Sequence, residues 1–270
     1  MNILKIDNWY IICFGAIIGV VIITNIVFSI VRKFINFEIL KKHHELAGFI
    51  VSVLGVLYSV ILGFTIVNSQ QNLKNIVLQV DEEAYLSESL FQSAKIFPEK
   101  ERAEIQDRVM AYIKSIIEEE WPLMKKKMES SLTLMKLEEM WRAFYNFQPK
   151  TEKEKMWYSR SVEFLLKQNS ARLKRIYSTW QSIGILFWMA LIVGGLILIS
   201  FLFFFGTENI LAHRLLISFF SGYFAFILVV IYALDNPFNE PIKLQPKAYQ
   251  VIYNYDVKTR GTTISPEEVK

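Results

Sequence analysis

One cysteine, three histidines and seven prolines are spread over 270 residues, and each scarcity removes a class of protein. The lone Cys13 lies in an apolar stretch, so no disulfide framework exists within the chain and the redox compartment stays open. None of the motifs that carry phosphate, zinc or acyl chemistry occurs: there is no phosphate-cradling glycine loop, no HExxH, no CxxC and no G-x-S-x-G. The chain is therefore not expected to be an enzyme, and no catalytic residue, metal site or cofactor is assigned. His43, His44 and Glu45 gather metal-ligand types, but neighbouring residues on a helix point about 100° apart and make a poor preformed site. No basic run is interleaved with aromatics in a way that would suit nucleic acid. Acidic residues, common elsewhere, are missing from every long apolar run. That disfavours a proton-coupled transporter, which needs an ionisable group at mid-membrane.

What the chain does have is segregated apolarity. It is 53% hydrophobic with a mean hydropathy of +0.29, too apolar for an ordinary soluble protein and too polar for one wholly in lipid. The apolar residues gather in four runs: Tyr10–Val31, Leu46–Asn68, Gly184–Phe205 and Leu211–Leu234. Each is long enough to cross a hydrocarbon core of about 30 Å as a helix. The first run is too long for a signal peptide, lacks a small-x-small cleavage site and ends at Arg32-Lys33, so it reads as a retained span. The expected organisation has residues 1–68 as two spans with a short connector, and 69–181 as a soluble helical domain continuous with the second and third spans. Residues 182–234 hold the third and fourth spans, and 235–270 form a polar tail. A net charge of +4 suits a protein beside anionic headgroups.

The second run, LAGFIVSVLGVLYSVILGFTIVN, carries no charge and holds five small residues: Gly48, Ser52, Gly55, Ser59 and Gly63. At about 100° per residue they fall in one narrow stripe, with Ile50, Val53, Leu57, Ile61 and Phe64 on the other side. Small residues let backbones approach closely in lipid, where no hydrophobic drive pulls helices together. The stripe is either a helix-packing seam or a pore-facing wall.

Residues 69–181 show no strand alternation and no glycine, which predicts a helical bundle. The second span runs on as a polar helix through Val80, Glu83, Leu86 and Leu90 toward Pro98. Pro98 opens a helix with Glu99 and Glu101 early and Ile105, Val109, Tyr112, Ile113 and Ile116 on one face. Trp121-Pro122 is expected to end it, because the residue before proline avoids the helical region. Leu137, Met140, Trp141 and Phe144 mark a short amphipathic helix. Thr151 and Glu154 form a capping box before a long helix through Trp157, Phe164, Leu165 and Leu173. Charged residues here, including Glu118–Glu120 and Lys125–Lys127, read as solvated faces. In the spans, Thr24, Asn25 and Ser29 read as protein-facing, and Gly194-Gly195 permits a close approach or a kink. Ser218, Ser221, Gly222 and Ala225 form a small face, while His213 and Arg214 sit where they reach headgroups. Asp235, Asn236, Pro237 and Phe238 close the fourth span.

Two spans, a helical insertion, two further spans and an Asn-Pro-Phe turn together resemble the bestrophin-like membrane proteins, in particular their bacterial relatives. The likeness rests on AGFIVSVLGVLYSVILGFTIVN, on Glu83-Ala84 after it, on Arg172-Leu173 ahead of the third span, and on Leu234 to Phe238 after the fourth. It implies a pentameric, homo-oligomeric anion channel in a lipid bilayer, here the bacterial plasma membrane, with the second span lining the pore. Two departures stand out. The phenylalanine-rich neck is missing, since Phe49 and Phe64 lie only at the ends of the second span. Asn239-Glu240-Pro241 stands where the resemblance implies an acidic calcium-binding run, so calcium gating does not carry over. Eight basic residues near the spans on the side of the termini and insertion, Arg172 and Arg175 among them, face five on the other. The excess places the insertion and termini in the cytoplasm, although the short connector 32–45 argues the reverse. The reading is an all-α, four-span, homo-oligomeric membrane protein that passes an inorganic ion and has no nucleic-acid partner. A non-conducting membrane scaffold or sensor, assembled through the same small faces, is the alternative.

Overall fold

The computed structural model describes residues 8–34, 44–205 and 209–261, and every regular element among these is helical. Four helices are long and apolar enough to cross a bilayer, and they coincide with the four apolar runs. They are α1 (Asn8–Phe34), the first half of α2 (His44–Ser93), α7 (Ile185–Phe203) and α8 (Ile210–Asp235). His43, most of the connector 32–45 and the Gly206-Thr207-Glu208 link lie outside the described residues. The protein is an integral membrane protein of all-α class. It divides into two compact units, one drawn from residues before Lys74 and from Ser182 to Lys243, the other from Lys74–Gln181 and from Leu244 onward.

In the first unit α1 packs chiefly on α8, and both touch α7. The core is Phe28, Tyr58, Leu198, Ile199, Phe203, Ile217 and Phe224. Hydroxyls and an amide stitch α1 to α8. Thr24 Oγ1 and Ser221 Oγ are hydrogen-bonded at 3.0 Å, and Asn25 Nδ2 donates to Ser218 Oγ at 2.9 Å. Such bonds suit lipid, where apolar surface alone gives helices no reason to associate. The small face of α8 serves as expected: a Cβ on Gly222 would lie 3.3 Å from Val21 Cγ2. His213 differs from expectation. Instead of reaching headgroups it is buried against Phe28, with ring centroids 4.5 Å apart, and its Nε2 lies 2.9 Å from Leu202 O. A carbonyl only accepts, so Nε2 carries the proton. An imidazole one turn into α8 is closer to protein than to solvent once α1 and α7 pack beside it.

The second unit is built on the rest of α2, a helix of 50 residues and so about 75 Å long. With it in this unit are α3 (Glu99–Ser115), α4 (Trp121–Met124), α5 (Ser131–Asn146), α6 (Glu152–Ser178) and α9 (Lys247–Gly261). The predicted face of α3 is buried at every position, and α6 opens on the expected reciprocal cap. Glu154 N donates to Thr151 Oγ1, and the Glu154 carboxylate accepts from Thr151 N. Trp121-Pro122 does not end the helical path. Residues Ile116–Glu120 form a π turn instead, and Trp121 keeps helical angles into α4. A wide turn suits a proline, which has no N–H to give to the ordinary bond four residues back. The stretch read as a polar tail supplies α9, whose Tyr249 is fully buried.

The π turn aims Glu120 inward, and there the largest correction lies. Glu120 is not solvated; it and Glu83 have no exposed surface, and Arg172 and Arg175 are buried with them. Arg175 Nε donates to Glu83 Oε2 at 2.6 Å, and its Nη2 donates to Glu83 Oε1 at 3.1 Å and Glu120 Oε2 at 2.7 Å. Arg172 Nη2 donates to Glu120 Oε1 at 2.6 Å. Tyr112 Oη donates to Glu83 Oε1 at 2.7 Å and accepts from Gln168 Nε2 at 2.8 Å. The Arg175 guanidinium also lies over the rings of Trp121 and Tyr249, 5.9 and 6.0 Å from their centroids, within cation–π range. Two carboxylates and two guanidiniums make a neutral set, the condition under which buried charge is tolerable. The buried face of α6 reads Ser161, Leu165, Gln168, Arg172, Arg175, while Leu173 is exposed. Burial lowers the proton affinity of Arg175, but Glu83, Tyr249 and Glu120 outweigh it and hold the guanidinium charged well above its usual range.

Removing one member should leave opposite charges stranded. Arg175→Met is expected to cost about 3–5 kcal/mol of stability in unfolding of the solubilised protein. Lys155→Met, which breaks the exposed pair with Glu152, should stay within about 1 kcal/mol of wild type. Equal, small losses would contradict the ionic core.

The two buried tyrosines give a pH test. Burial, then the Glu83 charge, pushes Tyr112 and Tyr249 well above their ordinary value of 10.0. Above pH 10 the unfolded chain therefore sheds protons that the folded chain keeps, so stability falls as pH rises. Replacing both tyrosines by Phe should flatten that fall between about pH 9.5 and 11.5. The single changes should separate. Tyr112→Phe strips a partner from Glu83 and from Gln168 and should cost about 1–3 kcal/mol. The Tyr249 hydroxyl feels the Glu83 charge but lies outside hydrogen-bonding geometry with any described group, so Tyr249→Phe should cost little. An unchanged slope in the double variant would refute the assignment.

Candidate functional site

α2 offers its own unit a face of Leu54, Tyr58 and Leu62. Tyr58 lies across α7 and donates from Oη to Leu191 O at 2.8 Å. Glycine makes room for it. A Cβ on Gly194 would sit 2.8 Å from Tyr58 Cδ2, and one on Gly195 would run into the Phe224 ring. The close approach expected at Gly194-Gly195 is thus made by two aromatic side chains.

The small-residue stripe starts at the edge of this face and turns away from it, its centre about 100° round the helix from Tyr58. Gly48 and Gly55 are half-buried at that edge, whereas Ser52, Ser59 and Gly63 are exposed. A Cβ on Gly48 would meet Phe205 at 3.7 Å, an ordinary contact, but one on Gly55 or Gly63 would meet nothing within 4 Å. The stripe is therefore not a seam between helices of one chain. Its hydroxyls are turned home: Ser52 Oγ donates to Gly48 O at 2.8 Å and Ser59 Oγ to Val56 O at 2.7 Å. Each oxygen consequently presents lone pairs outward, along a wall with no formal charge. Leu57 and Phe64, opposite the stripe, are also exposed.

The turn after the fourth span is a separate feature, and no hydrogen bond among the described residues joins it to the stripe. Asp235 ends α8 and reaches the entrance of α7, accepting from Ser182 Oγ at 2.6 Å and from Ile183 N at 2.7 Å. A carboxylate there holds the amide just ahead of the N-cap Gly184 and complements the dipole of α7. Asn236 Nδ2 donates back to Tyr232 O at 3.1 Å, Asn239 N donates to Asn236 O at 3.0 Å, and Pro237 and Phe238 are buried. Both oxygens of Asp235 are occupied by the chain, so it works as a clasp between the fourth and third spans.

Tyr58, Glu120 and Arg175 are the residues that sequence reasoning missed. A usable signal existed in α6, where Arg172 and Arg175 continue the inward phase set by Leu165 and Gln168.

Two glycines on facing helices should respond oppositely to a single methyl. Gly194→Ala must displace the Tyr58 ring and loosen its bond to Leu191 O, at a cost of about 1–3 kcal/mol. Gly55→Ala meets open space and should be neutral or stabilising by up to about 1 kcal/mol through helix propensity. Thermal unfolding of the two variants reads the difference, and equal losses would contradict the uncovered stripe.

Residues 18–249 match the bestrophin-like domain. The fold is similar to that of a variant of the bacterial bestrophin homolog from Klebsiella pneumoniae, with a TM-score of 0.68, 14% identity, and coverage of 91% of this chain and 99% of that one. The same homolog solved by zinc phasing gives a TM-score of 0.67, 13% identity and coverage of 91% and 98%. A membrane protein carrying a proline-to-alanine change gives a TM-score of 0.68, 14% identity and coverage of 91% and 98%. No curated protein matches the sequence. At such identities the structural likeness speaks for the fold, and the domain match, spanning most of the chain, speaks for kinship: this chain belongs to the bestrophin-like family.

Proposed function

We propose that the protein is a passive, channel-like conductor of inorganic ions, formed by a ring of identical copies with the small-residue stripe of α2 facing the axis. The observation that carries this reading is the uncovered stripe. Gly55 and Gly63 have open space where a Cβ would go, and Ser52 and Ser59 are exposed, although small residues in lipid are of use only where something approaches closely. A wall of glycine and serine without formal charge gives a permeating ion weak contacts, from which it can leave as easily as it arrived. Four subunit helices that hide polar groups among themselves leave no path through one chain, so the path belongs to the assembly. Gly48, with Phe205 beside it, marks the edge of the stripe nearest the chain's own helices.

Anions as the permeant species, five copies, the bacterial inner membrane and a cytoplasmic second unit are what membership of the family adds. For an anion, the Ser52 and Ser59 hydroxyls would have to swing off Gly48 O and Val56 O to donate; the carbonyls keep their ordinary helix bonds, so the swing is cheap. The missing phenylalanine neck and the absent acidic run after Phe238 make a wider, calcium-independent path. In the rival reading, a non-conducting scaffold or sensor, a helix from another copy fills the stripe.

Conductance and mass together test the proposal. Wild type in planar bilayers under a salt gradient should pass current with a reversal potential of anion sign. Gly55→Leu, which puts a branched apolar side chain into the space the stripe leaves open, should lose current while light scattering still finds the wild-type assembly; loss of assembly instead would favour the rival reading. Leu57→Ala, on the opposite side, should keep both. A monomeric or silent wild type would sink the channel; cation sign alone would overturn only the anion assignment.

A further inference from the structure

We infer that a groove along the α1–α8 pair is a binding site for an anionic phospholipid, with the headgroup phosphate held by Lys33 and Arg214 and an acyl chain laid along α1. The groove is about 540 Å³, within the range of small-molecule sites, and lies wholly in the membrane-spanning unit. Its two charged lining residues are both cations, and none of its lining residues is acidic. Lys33 is the penultimate residue of α1, and Arg214 lies in the second turn of α8. Both are exposed at the ends of their spans, where cations reach the headgroup layer and can be answered by an anionic group there. Arg32, one residue earlier, is differently engaged, with its guanidinium 6.0 Å from the Phe28 ring centroid.

Arg214 is positioned, not loose. Its Nη2 donates to Ser29 Oγ at 3.0 Å, and Ser29 Oγ in turn donates to Asn25 O at 2.8 Å, so the guanidinium is tied along the surface of α1. Among the described residues this is its single hydrogen bond, which leaves most of a planar five-donor fork for an incoming group. Such a fork matches phosphate oxygens in pairs, and the Lys33 ammonium adds a point charge. Below the cations the wall turns apolar. Ile22, Ile26 and Ile30 follow one another at intervals of four along α1, a continuous ridge leading from the polar end into the span, and all three are exposed in the subunit. One site with two cations at its mouth and a hydrocarbon ridge behind them fits a molecule of the same layout. A free phosphate would use only the mouth. A zwitterionic lipid would bring its own cation against Lys33 and Arg214. The groove would hold its lipid whether or not the protein conducts.

The test uses the full-length protein purified in detergent, titrated with phosphatidylglycerol, with phosphatidylcholine of the same chains, and with inorganic phosphate. Bound lipid is read by native mass spectrometry. Wild type should retain phosphatidylglycerol in preference to phosphatidylcholine, and inorganic phosphate should not displace it. Each of Lys33→Gln and Arg214→Gln should weaken retention about fivefold, and the pair about twenty-five-fold, the effect of one basic side chain at a lipid surface taken twice. Ile26→Trp, which blocks the ridge and keeps both cations, should also lower retention, and it decides the matter if the charge variants fail to fold. Unchanged retention in these variants, equal retention of the two lipids, or competition by phosphate alone would overturn the inference. So would a wild-type oligomer that dissociates when the groove is blocked, since the occupant would then be a second copy of the chain.

Discussion

A charge can be buried only if it is answered, and the second unit of this protein is arranged around that requirement. Arg175 is enclosed, and Glu83 and Glu120 answer it from α2 and from the π turn. Everything nearby follows from those bonds. The turn must widen to aim Glu120, Pro122 is accommodated by the widening, and α6 must present Gln168, Arg172 and Arg175 on one face. Tyr112 then fills the remaining valence of Glu83, and α9 closes the ensemble with Tyr249. α2 is one continuous helix, and it carries both Glu83 and the small-residue stripe.

The membrane unit meets the opposite problem. Its helices gain nothing from hiding apolar surface from lipid, so they are joined by polar and shape-specific contacts instead. Thr24 with Ser221, Asn25 with Ser218, Tyr58 with Leu191 O and Asp235 with the entrance of α7 are each short and each involve a group that lipid cannot satisfy. Gly194 and Gly195 supply the shape. With these accounted for, Gly55 and Gly63 of the α2 stripe still have open space where a Cβ would go.

Local features were legible in the sequence. The spans follow from apolar length, the opening of α6 from a Thr-x-x-Glu pair, the inner face of α3 from a 3.6-residue period, and the protein-facing side of α1 from Thr24 and Asn25. Features that depend on distant partners were not. Arg175 finds Glu83 across 92 positions and Glu120 across 55, so a row of acids at Glu118–Glu120 gave no sign that its last member turns inward. The burial of His213 depends on Phe28 and Leu202 in two other helices, and the docking of Tyr249 on Trp121. For the candidate site, the spacing of Gly48, Ser52, Gly55, Ser59 and Gly63 revealed a stripe; only the packing of Tyr58 and Leu62 revealed that the chain leaves it open.

The central claim is that water, not lipid or a neighbouring helix, meets this stripe in the assembled protein. Spin labels placed one at a time at Ser52, Ser59 and Leu57, in a Cys13→Ala background reconstituted in vesicles, would read it directly. A water-soluble nickel chelate should relax the labels at Ser52 and Ser59 and leave the one at Leu57 to membrane-dissolved oxygen. Labels at Ser52 and Ser59 shielded from both reagents, or reached by oxygen alone, would contradict the account.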